Sequence, residues 1–487
     1  MTRRFFPLAC LSAALWSLPA ALVADQIDLP DIGDSAGAII SPEQERRLGE
    51  EYARQIRRQA PLVNDEEVED YITALGNSMA KHTNYELGFR FAVMESPVIN
   101  AFAVPGGYVY MHTGLILETS NESELASVMG HEISHVTQRH GARMIEEASH
   151  MTAPMIASMV AGIVLMAVNP QMGAGALMAG QAAAQQMQIN FTRANEKEAD
   201  AIGIELMKEA HYDTEMMASF FERMQRASRY TDPSFIPEYL RTHPVTVNRI
   251  AEARNRAAQI KADGVREDSP QYHLVKAKLR VMGEADPTQA VRYFQEAIAA
   301  GNDEGHPEAL RYGLALAYME TGDFDKARNE ITKLTARFPR IGSFHIAAGK
   351  IEQRANQYAA AVPHFARAYE LDPEGRAAVY NYVNGLLLVD RAKEAKELLS
   401  SWGLSERRDP RYYKLMADAQ TRLGDDSSAH GSLAEYYYSV GEVPYAAEQL
   451  RIARDSPGLS NYQRQKIVAR LEEVEGTLQR MMDERRR

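Results

Sequence analysis

The segment His131-Glu132-Ile133-Ser134-His135 has the residue types and spacing of a metal-dependent hydrolase. On a helix, two histidines four residues apart project from one face and reach a single ion. Glu132 is rotated by one residue, so it holds a water beside the ion and acts as general base rather than ligand. A surface helix with two solvated histidines would carry the same letters. A catalytic Zn2+, one per chain, needs a third protein ligand and an open position. The metzincin pattern fails here, because its Gly and third His would fall on Gln138 and Gly141. Residues 148–192 contain no Asp, Glu, Lys or Arg, which rules out a carboxylate ligand in that run. The first acidic cluster beyond it is Asn195-Glu196-Lys197-Glu198-Ala199-Asp200. On a helix Glu196 and Asp200 share a face and Glu198 points away. Glu196 is then the third ligand, and Asp200 orients a ligating histidine. A charge-rich helix surface is the plain alternative.

These groups need a scaffold. Asn121 and Glu124 form a capping-box start, and Leu125, Val128, Met129 and Val136 line an apolar face. Gly141 offers the helix end. Upstream, Ser41-Pro42-Glu43-Gln44 begins one helix, and another spans about Glu66 to His82. Phe89–Glu95 and Tyr108–His112 read as strands joined through Asn100–Gly107. Pro105 lacks a ladder donor and Gly106-Gly107 permit a tight turn, so this element belongs at a sheet edge. Such an edge can pair with an extended peptide; a plain hairpin fits equally. The uncharged, Met-rich run 148–192 is split by Asn169-Pro170 into pieces near or below the ~20 residues of a membrane span. It reads as a helical hairpin or flap that contacts unfolded substrate or the membrane surface peripherally, or else as core helices.

Arg3-Arg4, the apolar stretch from Phe5 and the small residues up to Ala24 form a secretory leader, residues 1–24. A buried or membrane-spanning N-terminal helix is the alternative. Residues 25–40 read as an extended arm. Cys10, the only cysteine, lies inside the leader, so the mature chain has neither disulfides nor thiol catalysis. A formal charge of −12 excludes nucleic acid as the main partner. Beyond residue 271 the chain repeats: Ala290, Ala327, Ala361, Ala395 and Ala429 stand 37, 34, 34 and 34 residues apart. Gly322, Phe324 and Pro339, then Gly349, Tyr358, Phe365 and Pro373, fit tetratricopeptide offsets. Ala446 follows Ala429 by only 17, where regularity is expected to end. The expected fold is α+β but mostly α: a metallopeptidase domain over 41–265 with a small edge sheet, then an α-solenoid over 271–487. Its concave surface is of the kind that binds proteins.

HEISH, then Glu196-x-x-Ala199-Asp200, then His243-Pro244 and Arg249, resembles the zinc endopeptidase family that contains the prenyl-protein proteases. Asn100-Ala101-Phe102 through Gly107 is similar to the strand preceding the zinc helix in that family. The resemblance implies a zincin-like fold with Glu196 as third ligand. It implies a place for His243 near the metal, either steadying an oxyanion or closing the open position in a resting state. A packing role at a helix start is the alternative for His243. Arg249 is expected to pair with Asp200. His140 and His150 fall outside this geometry and have no role in it. The leader and repeats narrow the resemblance to a periplasmic branch. This implies degradation of misfolded or stalled outer-membrane β-barrel proteins, chaperone-like help in their assembly, and contact between the repeats and the barrel-assembly machinery. The competing expectation is a repeat-based scaffold or chaperone with a structural or latent zinc site.

Overall fold

The computed structural model describes residues 40–147, 183–229, 237–260, 264–301, 306–402 and 409–486. The expected leader, the arm up to residue 39 and the flap over 148–182 lie outside these residues. Among the described residues, no helix is long and apolar enough to cross a membrane.

Helix α1 (Pro42–Gln59) opens with the expected cap: Ser41 Oγ accepts from Gln44 N, and Gln44 Oε1 accepts from Ser41 N. Helix α2 (Glu66–Ala80) is capped by Asp65, which accepts from the backbone of Glu67 and Val68. Strands β1 (Arg90–Met94), β2 (Ala101–Val104) and β3 (Tyr108–His112) form one sheet in the order β1-β3-β2. β1 runs parallel and β2 antiparallel to β3. The presumed connection thus contains a strand of its own, and it lies at the edge as expected. Its turn depends on Gly106 and Gly107, with φ of 82° and 86°. A Cβ on Gly107 would lie 2.1 Å from the carbonyl oxygen of Gly88.

After α3 (Thr113–Glu118) comes α4 (Glu122–Thr137), buried continuously from Glu122 to Ser134. Asn121 caps it by accepting from Glu124 N, but Glu124 does not complete the box. Its carboxylate accepts from Ser120 N and pairs with Arg223 instead. The helix also ends at Thr137 rather than at Gly141. Arg139 adopts a left-handed φ of 52°, and its guanidinium donates to Glu45 Oε2 at 3.0 Å and to the Ile40 carbonyl at 2.7 Å. Those bonds hold a backbone conformation that a non-glycine residue rarely takes. Helix α5 (His140–Glu147) therefore starts beside the end of α4.

Helix α6 (Ala183–Glu209) begins within the uncharged run and carries the acidic cluster across α4. The crossing is made at Gly130 and Gly203: a Cβ on Gly203 would stand 3.1 Å from His131 N and 3.2 Å from Gly130 C. Helices α7 (Met216–Arg229), α8 (Glu238–Thr242) and α9 (Val247–Gln259) complete the shell. The core joins Leu125, Met129 and Ile133 of α4 to Ile204 and Met207 of α6 and Phe220 of α7.

Helix α10 (Pro270–Gly283) faces two cores, giving Tyr272, Val275 and Leu279 to the first and Leu274, Ala277 and Val281 to the next. Helices then stack in sequence: α11 (Pro287–Ala300), α12 (Pro307–Glu320), α13 (Phe324–Arg337), α14 (Gly342–Arg354), α15 (Tyr358–Leu371), α16 (Arg376–Leu388), α17 (Ala392–Ser401), α18 (Pro410–Arg422), α19 (Asp426–Ser439), α20 (Val443–Asp455) and α21 (Asn461–Arg486). The periodic alanines are buried on α11, α13, α15, α17 and α19, once per helix pair. Small partners matter at these contacts, since a Cβ on Gly349 would meet the Phe365 ring at 2.3 Å. Ala446 is buried on α20, so the shorter spacing marks a step to the next helix, and packing continues into the longer α21. The repeats grip the acidic start of α2. Lys278 bonds Asp65 at 3.0 Å and also Glu67, Arg376 bonds Asp70 at 2.7 Å, and Arg411 bonds Glu69 at 2.6 Å.

The Gly130–Gly203 crossing yields a direct test. Gly203→Val adds bulk against the backbone of α4 and should cost about 1–3 kcal/mol of stability. Denaturant unfolding of the metal-free protein measures it, and an unchanged midpoint would contradict the crossing.

Candidate metal centre

His131 and His135 leave α4 on one face, as their spacing requires, and both rings reach the flank of α6. Their Nε2 atoms stand 3.0 Å apart. Glu196 on α6 closes on both, with Oε2 at 3.4 Å from His131 Nε2 and Oε1 at 3.4 Å from His135 Nε2. His243, the residue after α8, enters from the third side. Its Nδ1 lies 3.0 Å from Glu196 Oε1 and 3.2 Å from His131 Nε2. One atom from each of His131, His135, Glu196 and His243 falls within 4.8 Å of the others. His243 is held from behind by its backbone N–H, which donates to the Tyr239 carbonyl at 2.7 Å.

Around this group the other expected residues take their places. Asp200 Oδ1 is 2.9 Å from His131 Nδ1. Arg249 on α9 donates to both Asp200 oxygens at 2.7 Å and reaches Glu196 Oε2 at 2.7 Å. Thr246 caps α9 and accepts from Arg249 N, which fixes the base of that side chain. Glu132 is fully buried; its Oε1 accepts no hydrogen bond and stands 3.5 Å from His243 Nε2.

Electrostatics argue for a cation here. Glu132, Glu196 and Asp200 are buried carboxylates, and Arg249 is the buried guanidinium beside them. The excess of two negative charges is what one divalent ion offsets, since unpaired charge inside a protein is costly. Burial opposes ionisation of Glu196, but the neighbouring His243 and His131 hold its carboxyl well below the usual range. Burial likewise opposes a proton on His131, yet Glu196 and then Asp200 outweigh it and raise the imidazole to about 10. Burial is the main cause that lowers His135. Without an ion, then, a proton on His131 compensates the carboxylates, and a metal would displace that proton. Two imidazoles and a carboxylate suit a borderline ion such as zinc.

Sequence reasoning passed over several groups. His140, given no role, points its Nδ1 at His135 Nδ1 across 2.7 Å. Glu198, which faces away from the cluster as expected, is not idle: it lies 3.1 Å from His140 Nε2 and 3.3 Å from the Arg143 guanidinium. With the helix end placed at Gly141, His140 would have continued the α4 spiral away from His135. The left-handed residue Arg139 brings it back. Tyr239, wholly buried beneath His243 with ring centres 4.9 Å apart, was also missed; no local pattern marks it. His150 lies outside the described residues.

Arg249→Leu would leave Glu196 and Asp200 buried without their guanidinium. It should destabilise the metal-free protein by about 3–5 kcal/mol, the cost of breaking a buried ion pair. Chemical denaturation checks this, and a loss under about 1 kcal/mol, the range of surface pairs, would show that the pair is solvated.

Comparison with known proteins agrees with this geometry. Residues 65–257 match peptidase family M48, and residues 280–340, 312–376 and 353–419 match tetratricopeptide-repeat families. The chain is 35% identical over 454 residues to the beta-barrel assembly-enhancing protease of Escherichia coli (strain K12), covering 93% of this chain and 92% of that one. It is 35% identical over 439 residues to the putative beta-barrel assembly-enhancing protease of Vibrio cholerae, covering 88% and 90%. Human mitochondrial metalloendopeptidase OMA1 is 30% identical over 161 residues, which is 32% of this chain and 30% of that one. With HEISH, the acidic helix and the repeats each in place, the chain belongs to peptidase family M48, among the beta-barrel assembly-enhancing proteases, and is a metalloendopeptidase.

Proposed function

We propose that the chain is a periplasmic zinc endopeptidase that degrades misfolded or stalled outer-membrane β-barrel proteins and assists their assembly. The observation that carries this is the convergence of His131, His135, Glu196 and His243 beside the buried Glu132 carboxylate. His131, His135 and Glu196 would hold one Zn2+, with Asp200 and Arg249 steadying His131 and Glu196. Bound zinc supplies Lewis acidity, polarising the scissile carbonyl and making water a stronger acid. Glu132 takes the proton of the attacking water and passes it to the departing amine. An extended substrate adds to the free edge of β2, which packs beside α4, and so brings its backbone past Glu132.

The periplasmic location draws support from the leader-like N-terminus and from the relatives, whose names tie them to β-barrel assembly. The repeats are the part suited to recruiting protein partners, and we assign them contact with the barrel-assembly machinery. Residues 148–192 would touch unfolded substrate or the membrane surface.

His243 favours a resting form of the same enzyme. With its Nδ1 within 3.2 Å of both His131 and Glu196, it would act as a fourth ligand and leave no open position. Activation would then require movement of the segment that follows α8.

Glu132→Gln should reduce cleavage of an unfolded β-barrel protein by roughly 10²- to 10⁴-fold while retaining the metal. Peptide-bond hydrolysis assayed beside metal content decides it; undiminished cutting overturns the general-base role. His243→Ala should raise proteolysis of the same substrate. A fall in activity with zinc intact would assign His243 to the oxyanion instead.

A further inference from the structure

His131 and His135 have the same task but different supports. Behind His131, the Asp200 carboxylate lies 2.9 Å from Nδ1. A carboxylate at this position accepts, so Nδ1 carries a hydrogen, and Nε2 is the nitrogen left to face a metal once its own proton is displaced. Among the described residues, no carboxylate touches His135 Nδ1. Its neighbour is a second imidazole, His140, with the two Nδ1 atoms 2.7 Å apart.

At that distance one Nδ1 must donate and the other accept. Glu198 decides which. Its Oε2 lies 3.1 Å from His140 Nε2 and also accepts from both terminal nitrogens of Arg143 at 3.3 Å. His140 Nε2 therefore carries the hydrogen donated to Glu198. A second hydrogen on His140 Nδ1 would make the ring a cation beside the Arg143 guanidinium, and His140 is almost wholly buried. His140 Nδ1 is thus the acceptor and His135 Nδ1 the donor. His135 Nε2 is left with its lone pair facing His131 Nε2 at 3.0 Å and Glu196 Oε1 at 3.4 Å. Reversing the pair would turn an N–H towards the cluster and remove His135 as a ligand.

We propose that His140 is a positioning residue: it accepts the Nδ1 hydrogen of His135, with Glu198 and Arg143 as its anchor, and thereby fixes His135 in the tautomer that binds metal through Nε2. The device depends on tertiary structure at each step. Arg139 turns left-handed under the hold of Glu45 and Ile40, which brings His140 back against His135. Glu198 reaches it from the far face of α6, the helix that already carries Glu196 and Asp200. One helix therefore orients both histidines of α4, directly through Asp200 and through a relay from Glu198.

This inference rests on His135 being a metal ligand, and the test separates the two. Asparagine at 140 places an amide oxygen where Nδ1 accepts; glutamine reaches Glu198 but leaves no acceptor beside His135. Metal-free full chain is titrated with Zn2+ against a chromophoric chelator, with circular dichroism recorded for each variant. His140→Gln should bind zinc 10- to 100-fold more weakly than the original chain, while His140→Asn stays close to it. Equal affinity of His140→Gln and the original chain overturns the proposal, as does His140→Asn binding as weakly as His140→Gln. His135→Ala is the control. If it keeps full affinity, the ligand assignment itself fails. If it loses zinc while His140→Gln does not, the relay alone is wrong.

Discussion

Everything at the site depends on how closely α4 and α6 can approach. Gly130 and Gly203 meet where the helices cross, one residue before His131 and midway between the acidic cluster and the end of α6. A side chain at either position would push the helices apart. A metal centre of the proposed kind tolerates little displacement, because Glu196 would have to reach both His131 and His135 at once. The glycine contact is therefore a requirement of the chemistry expressed as helix packing.

Close approach brings a second constraint, since it buries charge. Glu132, Glu196 and Asp200 share an interior where water does not screen them. Arg249 and the histidines are the groups beside them that offset this, and the proposed divalent ion would complete the balance. His243 stands in the same interior, with its imidazole beside both Glu196 and Glu132. The repeats join this arrangement through α2. Their basic side chains hold its acidic start, and Tyr71 farther along α2 donates to Glu122 at the first turn of α4. The solenoid is thus joined through α2 to the helix that carries HEISH.

Much of this was legible in the order of residues. Helical periodicity places His131 and His135 on one face, and the charge-free run directs the search for a carboxylate to Glu196 and Asp200. The 34-residue recurrence of buried alanine marks the solenoid, because each helix pair needs one small residue at the same contact. The misreadings share a cause. Glu124 turns to Arg223 instead of completing its cap, and α4 ends early because Arg139 is held by Glu45 and Ile40. In each case a long-range ion pair or hydrogen bond outweighs a local preference worth about 1 kcal/mol.

By itself the sequence determined what is periodic or short-range: the helical face of the HEISH motif, the strand pattern with its Pro-Gly-Gly turn, the repeats and the kind of chemistry available. These follow from backbone geometry and side-chain type within a few residues. Tertiary structure alone decided which groups stand behind the histidines. Asp200 stands 69 residues from His131 and Glu198 stands 58 from His140, so their meeting is set by the crossing of α4 and α6. Spacing along a chain carries no record of such a crossing. It arises only when buried apolar faces and two glycines select one packing angle, and that packing brings four scattered side chains within reach of one another.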